Sequence, residues 1–122
     1  MAREPIIAVV DDDGPFRTAL IESLCSLGYG VRGFPSADEF AAADGEGGCD
    51  CVITDIHMPG MSGLDLKRSL TARGCRVPVI MITARMEPEL EARVAASSAV
   101  CLLTKPFEAN ILVGHIETAL KA

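Results

Sequence analysis

The sequence predicts an α/β fold, a five-stranded parallel sheet with helices on both faces, and three features point to it. Four short apolar runs each end in a polar residue: Ile6-Ile7-Ala8-Val9-Val10 before Asp11-Asp12-Asp13, Cys51-Val52-Ile53-Thr54 before Asp55, Val79-Ile80-Met81-Ile82 before Thr83, and Val100-Cys101-Leu102-Leu103-Thr104 before Lys105. Uninterrupted and rich in β-branched residues, such runs read as strands buried on both faces. Segments of helical periodicity lie between them, and the connections are short. Right-handed crossovers then wind the strands into a sheet covered on both sides.

The first strand is Ile6 to Val10. Asp13-Gly14-Pro15 supplies a capping acid and a proline suited to a first turn, and Phe16, Leu20, Ile21, Leu24 and Leu27 recur at helical spacing until Gly28 and Gly30 stop the helix. Val31 to Phe34 is a short second strand, and Ser36 before Ala37-Asp38-Glu39-Phe40 has the S-x-x-E capping-box spacing. Asp44-Gly45-Glu46-Gly47-Gly48 is a turn-rich connector; without a Lys-Ser/Thr pair it reads as a plain loop, not a phosphate cradle. After the third strand, a helix over roughly Gly63 to Arg73 carries Leu64, Leu66 and Leu70, with Arg68 and Arg73 helping to close it. Pro88 starts a fourth helix through Leu90, Val94 and Ala95, and Ile111, Leu112 and Ile116 mark the inner stripe of a fifth. Residues 1–122 show no internal repeat or linker and read as a single domain, ending straight after the last helix.

A chain of 122 residues with 49% hydrophobic content fits one globular domain whose aliphatic core needs no disulfide or metal staple. Net charge is −6, and the lysines and arginines are scattered, which argues against direct nucleic-acid binding. The start of the chain resembles neither a signal nor a transit peptide, and no apolar run approaches the ~20 residues needed to span a membrane. Cys25, Cys49, Cys51, Cys75 and Cys101 are odd in number and lack C-x-x-C spacing. They read as reduced thiols, and the chain is expected in the cytoplasm.

In open α/β sheets the ligand crevice lies at the carboxyl ends of the strands, so the polar residues there should converge: three carboxylates, a hydroxyl and an ammonium. Asp55 reads as a nucleophile, because a carboxylate can accept a phosphoryl group as an acyl phosphate. Asp11, Asp12 and Asp55 would repel, since two charges ~4 Å apart at an effective dielectric of ~20 cost about 4 kcal/mol. Either a proton or a divalent cation must join them. All-oxygen ligands and a phosphoryl substrate favour Mg²⁺. Lys105 can then offset charge on one phosphoryl oxygen, and the Thr83 hydroxyl can donate to another. Plainer readings exist for each residue: the Asp triplet as a helix cap, Thr83 as a partner of backbone groups, Lys105 as a solvated head. Their joint occurrence at four strand ends favours the site.

These residues resemble the receiver domain of two-component response regulators. The likeness is carried by the acidic pair, by Val52-Ile53-Thr54-Asp55-Ile56-His57-Met58-Pro59-Gly60-Met61-Ser62-Gly63, by Met81-Ile82-Thr83-Ala84 and by Lys105-Pro106-Phe107. The resemblance implies a flavodoxin-like doubly wound sheet with strand order 2-1-3-4-5 and five helices. It implies that Asp55 takes phosphoryl from a sensor histidine kinase or phosphotransfer protein. Asp12 and Asp55 would bind Mg²⁺ directly, Asp11 mostly through water, and the His57 main-chain carbonyl would complete the protein ligands. Thr83 and Lys105 would contact the phosphoryl group, and the Lys105-Pro106 bond would be cis. The signal would leave through the face of helix four, strand five and helix five, with a phosphorylation-dependent homodimer as one outcome. DNA would be reached only through an output domain absent from this chain. Two positions depart from the family pattern: Leu102 stands where an aromatic is usual, and Cys101 where Asp is usual. His57 and Arg85 occupy the places that in this family tune autodephosphorylation.

Two other functions compete. Val9-Val10-Asp11-Asp12-Asp13-Gly14 also fits the h-h-D-x-D-G motif of haloacid-dehalogenase-like phosphatases, but that family needs further metal-binding acids late in the chain and no Asp follows Asp65. A degenerate receiver that switches without phosphorylation is disfavoured, because acceptor, acid pair, hydroxyl and lysine are all present. The expected protein is a switch that catalyses only its own phosphorylation and dephosphorylation.

Overall fold

Strand and helix alternate through the computed structural model, which describes residues 4–43 and 48–121. The order is β1 (Ile6–Val10), α1 (Gly14–Ser26), β2 (Gly30–Phe34), α2 (Ala37–Ala42), β3 (Cys51–Asp55), α3 (Gly63–Ala72), β4 (Val79–Thr83), α4 (Pro88–Ala96), β5 (Cys101–Thr104) and α5 (Ala109–Lys121). All strand pairs are parallel, in the order β2-β1-β3-β4-β5. This is the flavodoxin-like doubly wound sheet expected from sequence. Of the expected connector, Asp44 to Gly47 lie outside the described residues, as does Ala122.

Successive strand residues point to opposite faces, so each strand feeds two cores. Ile7, Val9, Ile53 and Ile80 pack with Leu20 and Leu24 of α1 and Leu112 and Ile116 of α5. Ala8, Val10, Val52 and Met81 pack with Phe40 of α2, Leu66 and Leu70 of α3, and Leu90 and Val94 of α4. Every residue of β3 and β4 is buried, which explains why these strands are apolar without alternation.

Local chemistry starts the helices. Asp13 Oδ1 accepts the Phe16 amide at 3.1 Å ahead of Pro15, and Ser36 Oγ accepts the Glu39 amide at 3.0 Å. At α3, Ser62 Oγ accepts from Asp65 N at 3.1 Å while Asp65 Oδ2 accepts from Ser62 N at 3.2 Å, a complete capping box. Gly63 follows at once, and a Cβ there would lie 2.5 Å from the Asp55 carbonyl oxygen. Only glycine lets α3 start so close to the end of β3.

Four expectations shift. Gly28, at φ +97°, ends α1, whereas Gly30 opens β2 and donates its amide to the Pro5 carbonyl at 3.0 Å. Leu27 caps α1 after its last buried turn and is 55% exposed. Ile111 is 48% exposed, because Leu112, Ile116 and Ala119 form the buried stripe and Ile111 sits about 100° around the helix from Leu112. Ala95, one residue past the buried Val94, is likewise exposed.

Candidate functional site

The strand register carries the polar residues to one edge of the sheet. Val10 is level with Thr54, Asp55 with Ile82, and Thr83 with Thr104. Asp11 and Lys105 each follow directly on a strand. Backbone bonds continue the ladder past these ends: Asp11 N donates to Phe34 O at 3.0 Å, Ile56 N to Ile82 O at 3.0 Å, and Lys105 N to Thr83 O at 2.8 Å.

Carboxylate oxygens of Asp11, Asp12 and Asp55 lie within 4.8 Å of one another, with Asp11 and Asp55 buried and Asp12 exposed. The Lys105 ammonium stands 3.0 Å from Asp11 Oδ2 and 3.3 Å from Asp55 Oδ2. Asp11 Oδ1 accepts the Asp13 amide at 2.9 Å, whereas the buried Oδ2 faces the ammonium as an ion pair and accepts no well-angled hydrogen bond. Burial holds the Asp11 carboxyl above its ordinary range and the charge of Asp55 adds to this, while the Asp13 amide and Lys105 pull it back. For Lys105, burial lowers its pKa, but Asp11 and Asp55 outweigh that and the net shift is upward.

Three carboxylates against one ammonium leave excess negative charge, and the buried Asp11 Oδ2, which accepts no well-angled hydrogen bond, keeps an open lone pair. This donor set fits a hard divalent cation such as Mg²⁺.

The other expected residues fall into place unequally. The His57 ring is exposed, and its amide donates to Asp55 Oδ1 at 3.3 Å. Thr83 is fully buried, but its hydroxyl donates to the Arg85 carbonyl at 3.0 Å and accepts the Arg85 amide at 3.2 Å. It therefore serves the loop after β4, the plainer of its two readings. The Lys105–Pro106 bond is cis.

Two contributors escaped the sequence. Arg17 Nη1 donates to the Asp11 carbonyl at 2.6 Å, fixing the peptide between the acids from the first turns of α1. The Phe16 ring lies beneath the Lys105 ammonium, 4.1 Å from its centroid. Phe16 stood out in sequence only as one of the apolar residues of the first helix, and no spacing links it to Lys105.

Comparison with known proteins agrees with this geometry. A family model for the response regulator receiver domain matches residues 7–117. Response regulator protein TmoT of Ectopseudomonas mendocina is 38% identical over 119 residues, 98% of this chain and 54% of that protein. Transcriptional regulatory protein FixJ of Bradyrhizobium diazoefficiens is 34% identical over 115 residues, 94% of this chain and 56% of that protein. The solved structure of response regulator StyR superposes with TM-score 0.89 at 35% identity, covering 98% of this chain and 60% of that one. The chain spans about half the length of the curated relatives it matches. Among the described residues, no helix is long and apolar enough to cross a membrane. Matched by the family model over nearly its whole length, with the acids and lysine gathered at one sheet edge, the chain belongs to the response regulator receiver domains of two-component signal transduction.

Proposed function

We propose that Asp55 accepts a phosphoryl group from a phosphohistidine of a sensor histidine kinase or phosphotransfer protein in the cytoplasm. The observation that carries this reading is the ion pairing of Lys105 with both Asp55 and Asp11 at the carboxyl edge of the sheet. An Asp55 oxygen attacks phosphorus, the P–N bond breaks, and the electron pair leaves on the imidazole nitrogen, which takes up a proton. Asp12 and Asp55 would hold Mg²⁺ directly, Asp11 through water, and the His57 carbonyl would complete the protein donors. When bound, Mg²⁺ neutralises charge on the acids and the phosphoryl oxygens. Lys105 turns from Asp11 toward a phosphoryl oxygen and offsets its charge. The chain turns over only its own phosphoryl group, so it acts as a switch.

The switch runs through Thr83. Its hydroxyl exchanges the Arg85 carbonyl for a phosphoryl oxygen, which frees Ala84 to Met86 to follow. A phosphoryl group shifts a two-state equilibrium only through contacts that differ between the states, and this exchange is such a contact. Leu102 is half-buried against the core beside α4 and has no ring to swing, so the change reaches the α4, β5 and α5 face by repacking around it. That face serves a partner or a phosphorylation-dependent homodimer. A net charge of −6 speaks against DNA on this segment, so DNA is reached only through a further domain.

Treatment with acetyl phosphate and Mg²⁺ should add one phosphoryl mass. The label should vanish in Asp55→Asn and after EDTA; full labelling of Asp55→Asn would sink the assignment.

A further inference from the structure

The Lys105 ammonium has a third neighbour that carries no charge. It sits 4.1 Å from the centroid of the Phe16 ring, and that ring is braced edge-on by Phe107, with centroids 6.0 Å apart and planes at 82°. Phe16 lies in the first turn of α1, and Phe107 is two residues past Lys105. Both rings are half-buried at the rim of the crevice. A cation within ~6 Å of a ring face is drawn to its quadrupole.

Resting on the phosphoacceptor reading above, we propose that Phe16 is a positioning residue for Lys105, holding the ammonium in the crevice when its carboxylate partners are neutralised. Lysine is a compact charge on a flexible stem, and Asp11 and Asp55 fix it only while their own charge is free. A divalent cation among the acids weakens that pull and repels the ammonium as well. The attraction of the ring survives both changes.

The test compares wild type, Phe16→Leu and Phe16→Tyr by NMR and by acetyl phosphate labelling. In wild type, the Lys105 ε-methylene protons should show ring-current upfield shifts and a nuclear Overhauser contact to the Phe16 ring. Phe16→Leu keeps an apolar side chain of similar reach; it should lose the upfield shift and label roughly two- to tenfold more slowly at saturating Mg²⁺. Phe16→Tyr should restore both shift and rate. Unshifted Lys105 protons in wild type, or a Phe16→Leu protein that labels at the wild-type rate, overturns the proposal. Should Phe16→Leu fail to fold, the wild-type contact and the Tyr variant still decide. If wild type takes no label at all, the phosphoacceptor reading fails, while the Lys105 shifts still report on the positioning.

Discussion

The Thr83 hydroxyl donates to the Arg85 carbonyl at 3.0 Å and accepts the Arg85 amide at 3.2 Å, so one buried side chain closes the turn that leads from β4 toward α4. Any oxygen that captures this proton opens the turn. Beryllofluoride, which mimics phosphoryl on Asp55, should therefore move NMR signals across residues 83–105, and the response should shrink in Thr83→Ala. Thr83→Ala should also lower stability by about 1–2 kcal/mol, because the Arg85 groups lose their partner. Identical shifts in both proteins, confined to the surroundings of Asp55, rule out this route.

Lys105 pairs with two acids at once. Lys105→Ala should destabilise the metal-free protein by roughly 2–4 kcal/mol, since it strands the buried Asp11 beside Asp55. Mg²⁺ should recover much of the loss and bind more tightly than to wild type, because the ammonium no longer competes for the same oxygens. Urea titrations with and without Mg²⁺ check both signs; weaker Mg²⁺ binding in the variant would mean that lysine and metal do not share these acids.

The Asp11 carboxyl is raised from an ordinary value of 3.8, chiefly by burial. Its stabilising contribution is therefore present below 3.8 and is lost as pH rises through the higher folded-state value. Once ionised, Asp11 is a buried charge that a bound Mg²⁺ would relieve. At about tenfold over its dissociation constant, Mg²⁺ should add ~1.4 kcal/mol at pH 7. The increment should shrink as pH falls toward the Asp11 titration, more gently in Asp11→Asn, and Asp12→Ala should remove most of it. Thermal melts from pH 7 downward measure this; an undiminished Mg²⁺ response in Asp12→Ala would place the metal elsewhere.

Burial pushes the Cys51 thiol up to about 12 from 9.0, and the neighbouring Cys49 and Cys101 add to it. A raised folded-state value means stability that is present below pH 9 and lost between there and about 12. The span corresponds to at most about 4 kcal/mol. Cys51→Ala should flatten the fall in stability between pH 9 and 11, although it weakens the fold at neutral pH by leaving a small void. Iodoacetamide at pH 8 should label the exposed Cys25 of the native protein and spare Cys51. Equal labelling of both would show that β3 opens readily.

Much of the fold was legible because its determinants are local. Asp13 before Pro15 and Ser36 before Glu39 mark helix starts through bonds that span a single turn, and Pro88 marks one through its fixed φ at the first helical position. The α3 box is equally local, but Asp65 stands where the S-x-x-E spacing has Glu, so the pattern that marks Ser36 does not mark Ser62. Ile111 failed differently. An apolar stripe shows that a helix has an inner face, but the tilt of α5 on the sheet decides which edge of the stripe is covered.

By itself the sequence determined which polar residues end the strands, and parallel β-α topology requires those ends to share one edge. Only the tertiary structure decided how they meet: Lys105 between Asp11 and Asp55, fifty residues from the latter, Thr83 turned to Arg85, and Phe16 beneath Lys105. The physical reason is that periodicity records which side of its own element a residue faces. The direction of a long side chain instead depends on charges and rings delivered by other elements, which meet only after the crossovers pack.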